Sequence, residues 1–262
     1  MLFSIGVRTY SVKEGVLITF RELLLFGGLL LWVYMCGRYS IALELGDLEA
    51  RFGAKFSGAG FSPRLNAAPS QELPVILNSS PAEISVVRWG LVRPWMRGFG
   101  LINVRTETLK EKETFRDDLL HRRCLVLADG FYEWKEVGRG RKVPFRFCRK
   151  DGAPFAFAGL WEVNRDEKGG DVKAFSIITT GAKAPIKAVH ERMPVILRRE
   201  EEPLWLSGKV PLPGLWDLME NSESRALTVF EVSRAVNNAR NDSKELILPV
   251  DSRALEEVEV GS

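Results

Sequence analysis

The chain of 262 residues is 45% hydrophobic and 27% charged, ordinary globular material with length for one large domain or two small ones, and one is expected. A formal net charge of +3 excludes polyanion binding driven by bulk electrostatics, so any nucleic-acid site has to be a local cluster. Cys36, Cys124 and Cys148, odd in number, widely spaced and without a CxxC pair, argue against a disulfide framework and a zinc site and point to a reducing, cytoplasmic setting.

The N-terminal residues read differently from everything after them. Residues 23–35 are an uninterrupted apolar run closed on its N-terminal side by Arg21 and Glu22; at 13 residues it falls short of the ~20 that a bilayer-spanning helix needs. As the core of a secretory signal it lacks a small-x-small cleavage site, because bulky Tyr34 and Met35 stand where small residues are wanted. The same bulk argues against a lipoprotein signal ending at Cys36. The favoured reading makes 1–34 an extension that is non-native or removed, 35–250 the folded domain and 251–262 a C-terminal tail, with no membrane association. With Met35 as initiator, the small Cys36 side chain permits methionine removal and leaves an N-terminal cysteine, its amine and thiol on adjacent carbons.

No repeat or low-complexity linker divides the remainder. Helical spacing covers 41–52, with Asp47 and Glu49 outward, and Gly58-Ala59-Gly60 with Pro63 ends it. A loop over 66–71 leads to a strand over 74–77; residues 84–89 alternate in part as a strand does, and 124–128 are a continuous apolar run of buried-strand length. Residues 145–149 and 154–158 flank Asp151-Gly152, the turn chemistry of a hairpin. Residues 175–180 are a further strand, and helices are expected over 109–122, 184–190 and 213–219. Strands outnumber helices, and hairpins outnumber crossovers. The expected fold is therefore α+β, a single domain around an antiparallel, partly barrel-like β-sheet with flanking helices.

Polar residues set among apolar neighbours are the candidates for chemistry. Asn103, Arg105 and Glu107 lie at i, i+2 and i+4 and share one face if the segment is extended; a solvated strand edge explains them equally well. Glu133, between Tyr132 and Trp134, loses hydration, which raises its pKa toward values useful for proton transfer, although a buried glutamate also serves as the partner of an arginine. His190 stands before Met193-Pro194 and reads as either a core histidine or a proton carrier. His121, in His121-Arg122-Arg123 at an expected helix end, suits a capping role.

Taken in order, Met-Cys-Gly-Arg-Tyr at 35–39, Asn-x-Ala-Pro-x-Gln at 66–71, Trp-Gly-Leu with a following Pro-Trp at 89–95, Asn-x-Arg-x-Glu at 103–107, Gly-Phe-Tyr-Glu-Trp at 130–134, Phe-Ala-Gly-Leu-Trp at 157–161, His-x-Arg-Met-Pro at 190–194 and Val-Asn-x-x-Arg-Asn-Asp at 236–242 form one pattern. It resembles the SOS-response-associated peptidase family, also called abasic-site processing proteins, from Met35 to about Pro249. Leu65 and Thr106 depart from it, at positions where an aromatic residue and an alanine are expected.

The resemblance implies covalent attachment to abasic sites in single-stranded DNA. In that family the N-terminal cysteine amine forms an imine with the abasic aldehyde and the thiol closes a thiazolidine. Carried over by motif, Cys36 is the nucleophile, Glu133 and His190 handle protons, and Asn103 holds the reacting group. Arg38, Arg105 and Arg192 grip phosphates, while Trp89 packs against a base or wedges the strand. No metal or organic cofactor is implied. The residue chemistry agrees: an α-amine has a reference pKa of ~7.7–8.0, so Cys36 needs positioning more than activation. Arg38, two residues on, lies on the cysteine's side of an extended segment. Arg88, Arg93, Arg97 and the Arg139-Gly140-Arg141-Lys142 turn could extend a basic groove, with solvated loop charge the plainer reading of the turn. Two rivals stay open. One is a thiol peptidase or autopeptidase using Cys36 with His190 as base; the other is a non-covalent single-stranded DNA binder relying on Arg38, Trp89 and Arg105.

Overall fold

Apolar runs rich in β-branched and aromatic residues, punctuated by glycine and proline, fold mainly as strands. The computed structural model describes residues 36–58, 60–91, 100–165 and 170–251. Its first elements are β1 (Tyr39–Ile41), α1 (Leu45–Phe52), β2 (Lys55–Ser57), β3 (Arg64–Ala67), β4 (Glu72–Leu77), β5 (Glu83–Trp89) and β6 (Asn103–Arg105). Then come α2 (Thr106–Glu111), α3 (Glu113–His121), β7 (Arg123–Ala128), β8 (Gly130–Glu136), β9 (Lys142–Arg149), β10 (Phe155–Arg165) and β11 (Asp171–Gly181). The last are β12 (Arg192–Pro194), β13 (Ile196–Leu197), α4 (Glu202–Leu206), α5 (Leu212–Glu220) and β14 (Leu227–Glu231). The 1–34 extension, Met35, Arg93, Pro94, Trp95, Arg97 and tail residues 252–262 lie outside the described residues.

The described strands form two sheets. The larger runs β12-β11-β10-β7-β4-β5-β2, with β6 and β13 attached to β11 and β10. Its β5 also pairs in parallel with β11, Arg88 against Ala174 and Trp89 against Phe175, so β11, β10, β7, β4 and β5 close on themselves. Closure removes the exposed edges that a twisted open sheet would leave. The second sheet runs β14-β9-β8-β1-β3 and is antiparallel throughout. Aromatic side chains join the two: Tyr39 meets Trp89 and Phe157 edge-on at 5.1 and 5.8 Å, and Phe131 meets Phe157 at 6.0 Å. Inside the barrel wall only glycine fits at 159, where an added Cβ would stand 2.8 Å from Cys124 Sγ and 3.0 Å from Ser176 O.

The α+β architecture with an antiparallel, barrel-like sheet is as expected; several local features differ. Residues 145–149 and 154–158 are not a hairpin. β9 pairs with β8 and β14, whereas β10 pairs with β7 and β11, so the Asp151-Gly152 turn hands the chain from one sheet to the other. The helix expected over 41–52 starts only at Leu45, because buried Ile41 is used in β1, and it ends on Gly53 in the left-handed region (φ 66°). The helix expected over 109–122 breaks at Lys112, an extended residue that ends α2 and precedes α3. Residues 184–190 form only a short 3-10 turn, Ile186–Ala188. Among the described residues, no helix is long and apolar enough to cross a membrane.

Candidate active site

The candidate site lies at the seam where β1 and β8 of the small sheet face β6, β11 and β12 of the barrel. β1 pairs with β8, and Tyr132 N donates to Arg38 O at 3.0 Å, which lays the residues ahead of β1 along β8. Strand alternation then sorts β8: Tyr132 and Trp134 face the core with Phe230, Val232 and Val236, and Glu133 faces the seam. Cys36, in the left-handed region (φ 48°), turns its backbone nitrogen onto that carboxylate, donating to Glu133 Oε1 at 2.7 Å. Both residues are buried, at 4% and 3% exposure. Burial raises the Glu133 pKa, opposed by His190 and by the bonds from Cys36. The same burial, with Glu133 beside it, pushes the Cys36 thiol well above its ordinary value.

His190 completes the group. Its Nε2 stands 3.9 Å from Glu133 Oε2, and its Nδ1 lies 3.1 Å from Arg192 N and 3.2 Å from Arg192 O. Asn103 reaches the other end of Cys36, its Nδ2 donating to Cys36 O at 3.5 Å. Parallel pairing of β6 with β11, Asn103 against Ile177 and Arg105 against Thr179, brings it there.

The arginines have distinct surroundings. Arg192, opposite Gly181 on β12, donates from Nη1 and Nη2 to Glu107 at 2.6 and 2.9 Å and from Nη2 to Thr179 O at 2.9 Å. That pairing holds the Glu107 carboxyl down at about 2. Arg105 is exposed on β6. Half-buried Arg38 donates to Asn66 Oδ1 and Val236 O, both at 2.8 Å, and to Asn237 O at 3.3 Å. Its guanidinium is thus anchored to the 236–237 segment instead of lying open beside Cys36. Arg139 and Arg141 occupy the exposed β8–β9 turn, while exposed Lys142 opens β9 and its charge is among those that draw the Glu133 pKa down.

Two expectations are corrected. Trp89 is fully buried, stacked on Phe175 at 6.2 Å with its Nε1 donating to Ile102 O at 2.9 Å, so it packs the barrel and has no face for a base. Asn103, Arg105 and Glu107 do not share an extended face, because the strand stops at Arg105 and Glu107 turns with α2 toward Arg192.

The sequence also concealed Asn66. Its buried amide donates to the carbonyls of Val236, Asn238 and Asn241 at 3.2, 3.1 and 3.0 Å, while Asp242 accepts Leu65 N at 2.6 Å and Asn66 N at 3.1 Å. Two motifs 170 residues apart thereby form the floor beneath Arg38. The visible signal was the two motifs at 66–71 and 236–242, not their contact. No group of three or more His, Cys, Asp or Glu among the described residues is placed to hold a metal ion.

The sequence model of SOS response associated peptidase (SRAP) matches residues 35–239. The chain belongs to the SOS response associated peptidase family. Among SRAP relatives, the abasic site processing protein YoqW of Bacillus subtilis is 38% identical over 221 residues, spanning 81% of this chain and 99% of its own length. The abasic site processing protein YedK of Escherichia coli is 30% identical, over 82% of this chain and 100% of that protein. The abasic site processing protein HMCES of Pongo abelii is 32% identical, over 73% of this chain and 66% of that protein. The SRAP fold recurs in a crystal structure of a Bacteroides thetaiotaomicron protein, with a TM-score of 0.71 at 24% identity, covering 81% of this chain and 99% of that one.

Proposed function

We propose that the working chain begins at Cys36 and condenses with the open-chain aldehyde of an abasic site in single-stranded DNA, leaving a thiazolidine crosslink that shields the lesion during the DNA damage response. The observation that carries this reading is the 2.7 Å contact between Cys36 N and Glu133 Oε1 in a buried seam shared with His190. The abasic-site names of the relatives support it.

Within the chain this nitrogen is a non-nucleophilic amide. Freed of residue 35 it is an α-amine with a reference pKa of ~7.7–8.0. Glu133 takes a proton from the ammonium, and the lone pair adds to the aldehyde carbon to give a carbinolamine. Return of that proton to the hydroxyl expels one water and leaves the imine protonated at nitrogen. Cys36 Sγ then adds to its carbon, the C=N electron pair returns to nitrogen, and the thiol proton leaves to Glu133, closing the ring. A carboxylate whose pKa is raised by burial suits this exchange better than one at its ordinary value. His190 steadies Glu133 and serves sugar ring opening, Asn103 fixes the Cys36 carbonyl, and Arg105 and Arg192, with Arg38 behind them, meet the flanking phosphates.

The thiol-peptidase alternative asks for a thiolate. Burial and Glu133 push the Cys36 thiol the other way. Three preparations separate the readings on an oligonucleotide with one abasic site: the Cys36 free amine, the same protein acetylated at that amine, and Cys36→Ser. Only the first should give a crosslink stable to heat and denaturant, with Cys36→Ser giving an imine that survives only after borohydride reduction. A stable crosslink, or peptide cleavage, from the acetylated protein would return the thiol reading.

A further inference from the structure

The fork of Arg192 is already filled in the free protein, and the group that fills it has the charge and shape of a phosphate edge. Glu107 Oε1 and Oε2 accept from Nη1 and Nη2 at 2.6 and 2.9 Å, the two-point geometry that arginine uses for carboxylates and phosphates alike. Thr179 O takes a further Nη2 bond at 2.9 Å, and Thr106 Oγ1 steadies Glu107 Oε2 at 3.3 Å. Arg192 Nε is buried with no acceptor among the described residues. The two partners are unequally placed: the Arg192 side chain is 13% exposed and the Glu107 side chain 56%. The cation is fixed in the wall, and the carboxylate stands at the solvent edge where a polyanion arrives.

We infer that Glu107 is a specificity residue: by occupying the fork of Arg192 it weakens non-covalent binding of every single strand, so that retention depends on covalent capture at an abasic site. The inference rests on the proposed crosslinking reaction. A phosphate reaching Arg192 must displace Glu107 or share the guanidinium with a like charge. An undamaged strand has nothing to offset that cost, whereas an abasic strand gains a C–N and a C–S bond to Cys36.

The test measures the affinity of undamaged single-stranded DNA as a function of salt for the wild type, Glu107→Gln, Arg192→Ala and the double variant, with Glu107→Ala as a second neutralisation. Crosslinking of an abasic oligonucleotide by the wild type and Glu107→Gln is then run with excess undamaged strand. Glu107→Gln should bind undamaged DNA about tenfold more tightly, with the log–log salt slope steeper by about 0.7, the contribution of one more neutralised phosphate on a single strand. That gain should largely vanish in the Arg192→Ala background. Undamaged competitor should slow crosslinking by Glu107→Gln far more than by the wild type. If both Glu107 variants bind undamaged DNA no more tightly than a wild type that crosslinks normally, Glu107 merely holds Arg192 in place and the inference fails alone. A wild type that forms no crosslink removes the reaction on which the inference rests.

Discussion

Glu133 carries opposite consequences for stability and for activity. Its folded-state pKa lies above the unfolded value because burial disfavours the charge, so its contribution to stability is present below the unfolded pKa, ~4.3, and is lost as pH rises through the folded pKa. Glu133→Gln keeps an acceptor for the Cys36 N–H without the buried charge. It should therefore raise the melting temperature at pH 7, and the difference should disappear below about pH 4, where Glu133 is protonated. The same variant should slow crosslink formation by about 10²-fold or more, the usual span of general acid–base assistance, and should lose the part of the pH–rate profile that rises as Glu133 ionises. Glu107 has the reverse sign. Held at about 2 by Arg192, it contributes stability that is complete above ~4.3 and is lost as pH falls from there through about 2. Its exposure keeps that contribution small. Desolvation of Glu133 was legible from its neighbours Tyr132 and Trp134; its partner at Cys36 N, 97 positions away, was not.

At the level of elements, the site depends on pieces that contribute no chemistry. Asn66 on β3 ties that strand to the 236–241 segment through three donated bonds and one accepted from Arg38. Asn66→Ala would take one partner from each of three carbonyls and from Arg38 Nη1; Val236 O and Arg38 Nη1 keep each other, Asn238 O keeps Asn241 N, and Asn241 O loses the amide donor it had. The expected cost is about 2–3 kcal/mol, read as a lower urea midpoint at unchanged slope, together with weaker binding of single-stranded DNA through the loosened Arg38. β7 was legible as a continuous apolar run and β5 by its partial alternation. The α2–α3 break was not, since no proline or glycine marks Lys112. What ends α3 is tertiary: the buried Arg123 guanidinium donates to the carbonyls of Leu119 and Leu120, both at 2.6 Å, as well as to Trp205 O at 2.6 Å and Ser207 O at 2.8 Å. The hairpin misreading has a similar cause. Asp151-Gly152 is a sound turn, but turn chemistry does not say which sheet each arm joins.

For the whole molecule, the motif order identified the fold before any contact was known, and periodicity alone reached only a strand-rich α+β domain. Closure of the barrel by the parallel pairing of Trp89 with Phe175 joins residues far apart in the chain, and it explains why an aromatic residue that looked available to DNA is sealed in the core. The same closure brings β6 and β12 beside β11, so that Asn103 reaches Cys36 O and Arg192 lies within electrostatic reach of the Cys36–Glu133 pair supplied by the other sheet. In the proposed reaction a free Cys36 amine at this seam condenses with an abasic aldehyde. The most direct test is the intact mass of protein purified from its native host, before and after incubation with a single-stranded oligonucleotide bearing one abasic site. The expected result is a chain starting at Cys36 that gains the mass of the oligonucleotide less one water. A chain that still carries residue 35, or a Cys36 start that gains nothing, would contradict it.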